Sequence, residues 1–375
     1  MTCEDILVIG AGPAGLAASA RLRREGLEHQ VLEREASIGP AWRRHYDRLH
    51  LHTTRTYSAL PMTPWPKGTP RYPSREQVVR YLEAYAEEHR IAPRLGVAVN
   101  AVRRGAERFE VDTSAGVMRP RVVVMATGYN GVPVWPSIPG LQSFRGTAIH
   151  SGAYKNAAPF QGRRTLVVGC GNSGAEIALD LAEQGVDVAM VVRGPVHVVP
   201  RDLLGRPTQH TNVLLSHLPL GLRDALAVAM VGLVVGDLSR WGIVRPALGP
   251  NRMIEETGRI PMLDLGTIAM VKRRKIRVLP AVLEMLADQV RFADGSVHPF
   301  EALVFATGYA PGLGRLIEGF ESIADGRGRP HRFGAETGIA GLYCVGFRNP
   351  PTGALREIAL EAPRVARAIR SALPR

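Results

Sequence analysis

The sequence predicts an α/β protein with two parallel-sheet domains, and three observations support this prediction. An apolar strand, a glycine-rich turn and a helix follow one another at residues 6–25, and the same succession returns at residues 165–184. An Ala-Thr-Gly turn after an apolar strand also occurs twice, at residues 126–128 and 306–308. Short runs that are apolar throughout are typical of strands buried in a parallel sheet. The length of 375 residues is consistent with about two or three domains.

The first unit joins a strand at residues 6–9 to a Gly-x-Gly-x-x-Gly turn at residues 10–15 and a helix at residues 16–25. Gly26 is the predicted C-cap, and residues 30–33 are the predicted second strand. In such a turn the second glycine lets a pyrophosphate approach, and the helix N-terminus stabilises its charge. Glu33 ends the second strand, where an acid binds the hydroxyls of a free ribose. The residues predicted to hold this nucleotide are Gly10, Gly12, Pro13, Ala14, Gly15 and Glu33.

The second unit repeats the pattern, with a strand at residues 165–168, a turn at 169–174, a helix at 175–184 and a strand at 188–192. Its second strand is followed by Arg193, and an arginine in that place suits a ribose 2′-phosphate, hence NADPH. The alternative is an ordinary solvated arginine in an arginine-rich chain. His197 and Arg201 are nearby helpers. The predicted NADPH contacts are Gly169, Gly171, Asn172, Ser173, Gly174, Arg193, Arg201, Ala306, Thr307 and Gly308.

Two nucleotide sites in one chain imply an electron path from NADPH to a second, bound cofactor. The site that ends in an acid fits FAD, because the adenosine ribose of FAD carries no phosphate. We therefore predict two Rossmann-like dinucleotide-binding domains, with the NADPH domain inserted into a discontinuous FAD domain. The expected FAD domain comprises residues 1–140 and 281–375, and the expected NADPH domain comprises residues 141–280. Residues 131–140 are interpreted as a linker, 203–260 as a helical insertion and 354–373 as the final helix.

Composition excludes several other classes. The 47 Lys and Arg against 34 Asp and Glu give a net charge of +13, but the basic residues are spread along the chain rather than collected in a nucleic-acid-binding block. Cys3, Cys170 and Cys344 form no CxxC pair, so neither a disulfide framework nor a metal site is expected. No signal peptide and no stretch long enough to span a membrane is recognised. A cytoplasmic location is the expectation.

Residues 144–154 match the FxGxxxHxxxY fingerprint and lie between the two glycine motifs. On this evidence the chain resembles the class B flavin-dependent monooxygenases. The stretches at residues 46–52, 71–86, 192–201, 261–267 and 343–347 resemble more narrowly the YUCCA-type indole-3-pyruvate monooxygenases. The tail departs from this pattern, because residues 348–353 replace a smaller turn near the flavin. Further FAD contacts expected in this reading are Arg34, Trp42, His52, Ala126, Thr127, Gly128, Gly346 and Phe347.

The resemblance implies that NADPH reduces FAD and that the reduced flavin takes up O2 as a C4a-(hydro)peroxyflavin. With an α-keto acid such as indole-3-pyruvate, loss of CO2 would give the shorter carboxylic acid. N- or S-oxygenation or Baeyer–Villiger oxidation of another metabolite is the alternative, and an NADPH-dependent flavin reductase is a remote one. The flavin carries most of this chemistry, and His52 and Arg55 are candidate catalytic residues that could anchor a substrate carboxylate. The expected partners are a small-molecule substrate and O2, in a monomer or homodimer.

Overall fold

Two parallel sheets organise the protein, each in its own structural unit. The computed structural model describes residues 4–373. The flanking unit comprises the chain up to Arg44, Thr53–Val132 and the chain from Tyr309 onward, and the central unit comprises His45–His52 and Pro133–Gly308. The chain therefore forms the flanking unit from both of its ends.

The strands are β1 (Ile6–Ile9), β2 (Gln30–Leu32), β3 (Val99–Arg104), β4 (Phe109–Thr113), β5 (Gly116–Met118), β6 (Val122–Met125), β7 (Val132–Pro133), β8 (Thr147–His150), β9 (Thr165–Val168), β10 (Val188–Val191), β11 (Val198–Pro200), β12 (Asp202–Leu203), β13 (Arg206–Pro207), β14 (Met262–Asp264), β15 (Ile276–Leu279), β16 (Val282–Met285), β17 (Gln289–Phe292), β18 (Val297–Pro299), β19 (Ala302–Phe305), β20 (Tyr309–Ala310) and β21 (Leu342–Cys344). The α-helices are α1 (Pro13–Arg24), α2 (Pro40–Arg44), α3 (Arg75–Glu88), α4 (Asn172–Glu183), α5 (Thr208–Leu215), α6 (Leu220–Val235), α7 (Pro250–Thr257), α8 (Thr267–Lys272) and α9 (Ala354–Ala372). Short 3-10 helices occupy Arg55–Tyr57, Leu141–Ser143, Ala158–Phe160, Ser239–Trp241, Leu313–Arg315 and Phe320–Ile323.

The flanking unit is built on a four-stranded parallel sheet in the order β2-β1-β6-β21. All four residues of β1 and of β6 are buried, as the apolar runs predict. Helix α1 starts at Pro13, whose missing N–H suits a first helical turn, and the chain leaves it through Gly26 at φ +70°. Helix α9 packs against α1 in the same unit. The antiparallel strands β3, β4 and β5 complete this unit.

The central unit contains a five-stranded parallel sheet in the order β15-β10-β9-β19-β8. Strand β9 lies between β10 and β19, with Thr165 opposite Val188 on one side and Ala302 on the other. An apolar cluster formed by side chains of this sheet and of β16 and β17 is part of the core of the unit. The predicted helical insertion is present as α5, α6 and α7.

The unit boundaries differ from the expected ones. They fall at residues 44/45, 52/53, 132/133 and 308/309, whereas only two boundaries were expected, at 140/141 and 280/281. The last boundary lies at 308/309 instead of 280/281 because β19 hydrogen-bonds to both β9 and β8 and therefore belongs to the central sheet. Strands β16, β17 and β18 form an antiparallel sheet whose side chains join the same core. The sequence repeat of strand and Ala-Thr-Gly turn marks equivalent strands in the two units, with β6 in one and β19 in the other.

Candidate cofactor sites

The glycine turn of the flanking unit has no room for larger residues at two of its three glycines. Gly10 has φ +109°, and a Cβ there would lie 2.6 Å from the carbonyl oxygen of Ala126. A Cβ on Gly15 would lie 1.8 Å from the carbonyl oxygen of Gly10. A Cβ on Gly12 would meet nothing within 4 Å, so the space in front of this glycine is open. Gly12 is also the N-cap of α1, which directs the helix N-terminus at that space.

The turn of the central unit repeats this geometry. Gly169 has φ +121°, and its Cβ would lie 2.5 Å from the carbonyl oxygen of Ala306. A Cβ on Gly174 would lie 2.1 Å from the carbonyl oxygen of Gly169, whereas Gly171, the N-cap of α4, faces open space. Both turns therefore leave an open cradle at a helix N-terminus, which is the place where a pyrophosphate binds in such folds.

The residues that follow the second strands differ in burial and in partners. Glu33 is buried, and its carboxylate accepts hydrogen bonds from the backbone N–H of Ala11 at 2.8 Å and of Glu35 at 3.0 Å. Arg34 is exposed and pairs with Glu35 at 3.3 Å. Arg193 is exposed and makes no ion pair within residues 4–373. A buried acid held at the cradle suits ribose hydroxyls, and a free guanidinium suits a phosphate.

The two Ala-Thr-Gly turns use their threonines differently. The Thr307 hydroxyl donates a hydrogen bond to the carbonyl oxygen of Val134 at 2.5 Å. The Thr127 hydroxyl is buried and has no hydrogen-bond partner among residues 4–373. A buried polar atom without a partner is rare in folded proteins, and it marks a position that a ligand or a water completes.

Of the remaining residues predicted near FAD, Gly346 and Phe347 are packed inside the flanking unit, whereas Trp42 and Gly128 lie on a short helix and in a turn. Gly346 has φ +85°, and its Cβ would lie 2.7 Å from the Cβ of Ala14, so this turn packs on the first turn of α1. The Phe347 ring is completely buried in the core of the flanking unit, which leaves only the Phe347 backbone to contact a ligand. Trp42 lies half-buried on α2, and Gly128 continues the Thr127 turn at φ +84°.

Other residues predicted near NADPH have partners inside the central unit. The Asn172 side-chain oxygen accepts from the backbone N–H of Leu263 at 2.8 Å, which fixes the start of α4 to β14. Arg201 pairs with Asp202 at 3.4 Å. Burial lowers the pKa of His197, which hydrogen-bonds to the carbonyl oxygen of Leu248 at 2.7 Å. This hydrogen bond ties His197 to the loop at Leu248, and a role of His197 toward a phosphate stays a prediction. Ser173 lies in the first turn of α4.

The two predicted catalytic residues, His52 and Arg55, belong to different units, and each has defined hydrogen-bond partners in its own unit. His52 belongs to the central unit, where its Nε2 lies 2.9 Å from Oε2 of the buried Glu176. The Tyr46 hydroxyl donates to the same carboxylate oxygen at 2.7 Å. Arg55 belongs to the flanking unit, and its guanidinium donates to the carbonyl oxygen of Thr69. A role of His52 or Arg55 toward a substrate stays a prediction.

The fingerprint residues of the central unit are structural supports. His150 Nδ1 accepts from the N–H of Gly152 at 3.2 Å, so its Nε2–H donates to the carbonyl oxygen of Gly308 at 3.1 Å. Burial lowers the pKa of His150, which keeps this ring neutral. The Tyr154 hydroxyl donates to Asp180 at 2.6 Å, and burial raises the pKa of that hydroxyl. These bonds fix β8 to the Ala-Thr-Gly turn and to α4.

Sequence reasoning missed the two acids on the buried face of α4. Glu176 and Asp180 are both buried, and each is bound by a tyrosine hydroxyl. The available signal was the presence of acids inside an otherwise apolar helix, because a charged residue is rarely buried unless it is paired. Glu361 of α9 was missed for the same reason.

The cysteines and the insertion add no further cofactor site. Cys170 contacts the Met262 sulfur at 3.4 Å, and burial raises the pKa of its thiol to about 12, so it is a thiol at neutral pH. Cys344 is buried, and Cys3 lies outside the described residues. Within residues 4–373, no group of His, Cys, Asp or Glu could hold a metal ion, and no helix is long and apolar enough to cross a membrane. The inner face of α6 lines a cavity of about 310 Å³ with Val231, Val235 and Arg245.

The residues present fit FAD and NADPH. Each cofactor needs an open glycine cradle at a helix N-terminus, and both cradles are present at Gly12 and Gly171. The unpartnered hydroxyl of Thr127 lies in the turn that supports the first cradle. The exposed Arg193 follows the second strand of the other unit.

Comparisons with known proteins agree with this geometry. A family model described as "Pyridine nucleotide-disulphide oxidoreductase" matches residues 7–202. The chain is 40% identical over 349 residues to an indole-3-pyruvate monooxygenase, YUCCA1, of Oryza sativa subsp. japonica, with 91% of this chain and 86% of that protein covered. It is 37% identical over 355 residues to a probable indole-3-pyruvate monooxygenase, YUCCA1, of Arabidopsis thaliana, with coverage of 91% and 84%. The solved structure of a flavin-containing monooxygenase from Stenotrophomonas maltophilia shares the fold, with a TM-score of 0.74, 24% identity and 98% of both chains covered.

Proposed function

The chain belongs to the flavin-dependent monooxygenases, in the group of the YUCCA-type enzymes, and from this membership we propose that it converts indole-3-pyruvate or a related α-keto acid to the shorter carboxylic acid. The enzyme is an FAD-dependent monooxygenase that uses FAD and NADPH. The proposed reaction consumes the keto acid, O2, NADPH and one proton, and it yields the acid, CO2, NADP+ and water. One oxygen atom enters the acid, and NADPH reduces the other to water.

The observation that supports the proposal is the pair of open glycine cradles with different residues behind them. The cradle of the flanking unit has the buried acid Glu33, and we assign FAD to it. The cradle of the central unit is followed by the exposed Arg193, and we assign NADPH to it, with the guanidinium on the 2′-phosphate. Bound FAD, once reduced, supplies the electrons and activates O2 for insertion of one oxygen atom.

The protein groups bind and orient in this scheme. The N–H groups at the start of α1 and α4 bind pyrophosphate charge. The Thr127 hydroxyl donates to FAD, which gives this buried group its missing partner. His52, whose Nε2 is held by Glu176, and Arg55 are the groups that we assign to the substrate carboxylate. The net charge of +13 attracts the anionic keto acid and both cofactors.

The direct test measures three quantities with purified enzyme and indole-3-pyruvate, namely NADPH oxidation, O2 uptake and formation of indole-3-acetate with CO2. The proposal predicts equal amounts of all of them. Oxygenation of amines, sulfides or ketones without turnover of the keto acid would overturn the substrate assignment. NADPH oxidation that yields hydrogen peroxide with every candidate substrate would favour a flavin reductase.

We further propose that the enzyme is cytoplasmic and acts as a monomer or a homodimer on a small molecule and O2. Light scattering of the FAD-loaded protein tests the oligomeric state, and a trimer or larger assembly would contradict it. Fractionation of the producing cell tests the location, and recovery of the protein with membranes or outside the cell would contradict it.

A further inference from the structure

A buried carboxyl group in the flanking unit has no role in the scheme above. Glu361 lies on α9 and is 1% exposed. Its Oε2 accepts a hydrogen bond from the backbone N–H of Gly346 at 3.0 Å. Its Oε1 is buried and has no hydrogen-bond partner in the part of the chain that the structure describes. A carboxylate left in this state would be costly, since a buried charge needs both pairing and hydrogen bonds.

The hydrogen bond of Glu361 reaches the start of α1 through a single residue. Gly346 packs so closely on α1 that a Cβ would lie 2.7 Å from the Cβ of Ala14. Ala14 belongs to the first turn of α1, whose N-cap Gly12 faces the open cradle. The Glu361 carboxyl, the Gly346 turn and the anion-binding end of α1 therefore form one packed stack within the flanking unit.

The charged groups near Glu361 leave its charge only weakly compensated. On its own helix, Glu357 disfavours ionisation of Glu361 and Arg364 favours it. Arg348, from the connection after β21, also favours ionisation, but it is already paired with Glu357 at 3.0 Å. From β21 the buried Cys344 thiol faces Glu361, and its pKa is raised by burial and by this acid.

The packed helix α1 adds no compensating charge at its near end. Its first turn carries no acidic residue, and its basic side chains, Arg21, Arg23 and Arg24, are in its last turn. Burial is the largest effect on Glu361 and raises the pKa of its carboxyl to about 7.

We propose that Glu361 is a positioning residue that must be protonated for tight FAD binding, so that the flanking unit takes up a proton when it binds FAD. The neutral carboxyl still accepts from Gly346 and holds that turn against α1. Ionisation would place a buried negative charge behind the helix end that binds the anionic pyrophosphate, and like charges repel strongly where water is excluded. If FAD binds more tightly to the protein with a protonated Glu361, thermodynamic linkage requires that bound FAD raise the proton affinity of Glu361.

The experiment measures the Kd of FAD for the apoprotein by flavin fluorescence between pH 5.5 and 9. In the wild type, Kd is constant at low pH and then rises as Glu361 ionises, by up to about tenfold for each pH unit above the pKa of the apoprotein. Glu361→Gln keeps an oxygen acceptor for Gly346 and cannot ionise. It should bind FAD at pH 8.5 with the affinity that the wild type has only at low pH.

Glu357→Gln is the matched control, because Glu357 lies one turn earlier on α9 and its carboxylate is paired with Arg348, Arg356 and Thr352. This variant should keep the rise of Kd with pH, and the rise should begin at a lower pH, because Glu357 no longer disfavours ionisation of Glu361 and Arg348 is released to favour it. Calorimetric titration with FAD at pH 7.5, in two buffers of different ionisation enthalpy, should show proton uptake by the wild type and none by Glu361→Gln.

A second readout needs no cofactor. A carboxyl whose folded pKa is raised contributes stability that is complete below its ordinary pKa of 4.5 and is lost as the pH rises through about 7. As the pH rises from 4.5 to about 7, the urea midpoint of the wild-type apoprotein should therefore decrease relative to that of Glu361→Gln.

The inference rests on the assignment of FAD to the first cradle, and the two can fail separately. Absence of FAD binding at every pH would refute the assignment. FAD binding with the same pH profile in wild type and Glu361→Gln would refute the role of Glu361, because a purely structural hydrogen bond predicts that result.

Discussion

The flanking and central units contain nearly the same glycine turn, yet the surroundings of the two turns differ. In both turns a Cβ on the first or third glycine would collide with backbone, and the second glycine faces open space. The flanking turn is supported from behind by the Gly346 turn and α9, whereas the central turn is followed by a helix whose buried acids bind Tyr46, His52 and Tyr154. Under the proposed assignment, the backbone cradle that both units share binds phosphate, and side chains outside the motif adapt each unit to its own cofactor.

The largest expected effect comes from adding a Cβ at the third glycine of either turn, where it would collide with backbone. Gly15→Ala and Gly174→Ala should each destabilise the affected unit by about 3 kcal/mol, because the new Cβ overlaps a backbone oxygen that cannot move independently. Thermal unfolding measures this loss. Gly12→Ala and Gly171→Ala are the controls, since their Cβ atoms enter open space, and they should keep the melting temperature and weaken only cofactor binding. Equal destabilisation by all four substitutions would contradict the common cradle.

The second largest effect concerns the buried acids of α4, since only the central unit has buried acids in the helix that follows its glycine turn. Glu176→Ala removes the shared acceptor of Tyr46 and His52, and we expect a loss of about 2 kcal/mol in the free energy of unfolding. Urea denaturation checks this value. Tyr46→Phe removes only one of the two donors and should cost about 1 kcal/mol. Unchanged stability in Glu176→Ala would show that the paired acid has no role in holding His52.

The third prediction concerns the residues after the second strands. Arg193→Ala should raise the Kd of NADPH about 10- to 100-fold and leave that of NADH nearly unchanged, because only NADPH carries the 2′-phosphate. Glu33→Gln should instead lower the FAD content of the purified protein. Titration of both nucleotides and flavin absorbance give the two values. A similar weakening of NADPH and NADH in Arg193→Ala would favour an ordinary solvated arginine.

The smallest expected effect separates the two threonine turns. Thr307→Val removes the hydrogen bond to Val134 and should destabilise the apoprotein by about 1 kcal/mol. Thr127→Val removes a hydroxyl that has no partner, so the apoprotein should be as stable as before or more stable, while FAD binds more weakly. Differential scanning calorimetry with and without FAD distinguishes the two. Loss of apoprotein stability in Thr127→Val would mean that the hydroxyl has a partner inside the protein.

Local sequence by itself determined the fold class and the positions of both cradles. Short apolar runs predict buried parallel strands, and Gly15 and Gly174 lie too close to the carbonyl oxygens of Gly10 and Gly169 for any larger residue. These features depend on residues close together in the chain, and a sequence pattern can represent them.

Only the tertiary structure decided the unit boundaries, the partners of His52 and the state of Glu361. Strand β19 was expected in the flanking unit, but its hydrogen bonds to β8 and β9 place it in the central sheet. His52 meets Glu176, and Glu361 meets Gly346, through contacts between segments that no local pattern relates. Burial and pairing of charged groups arise when distant segments pack and exclude water. The sequence therefore shows which acids and bases exist, and the packed fold decides which of them are paired, neutral or free to meet a ligand.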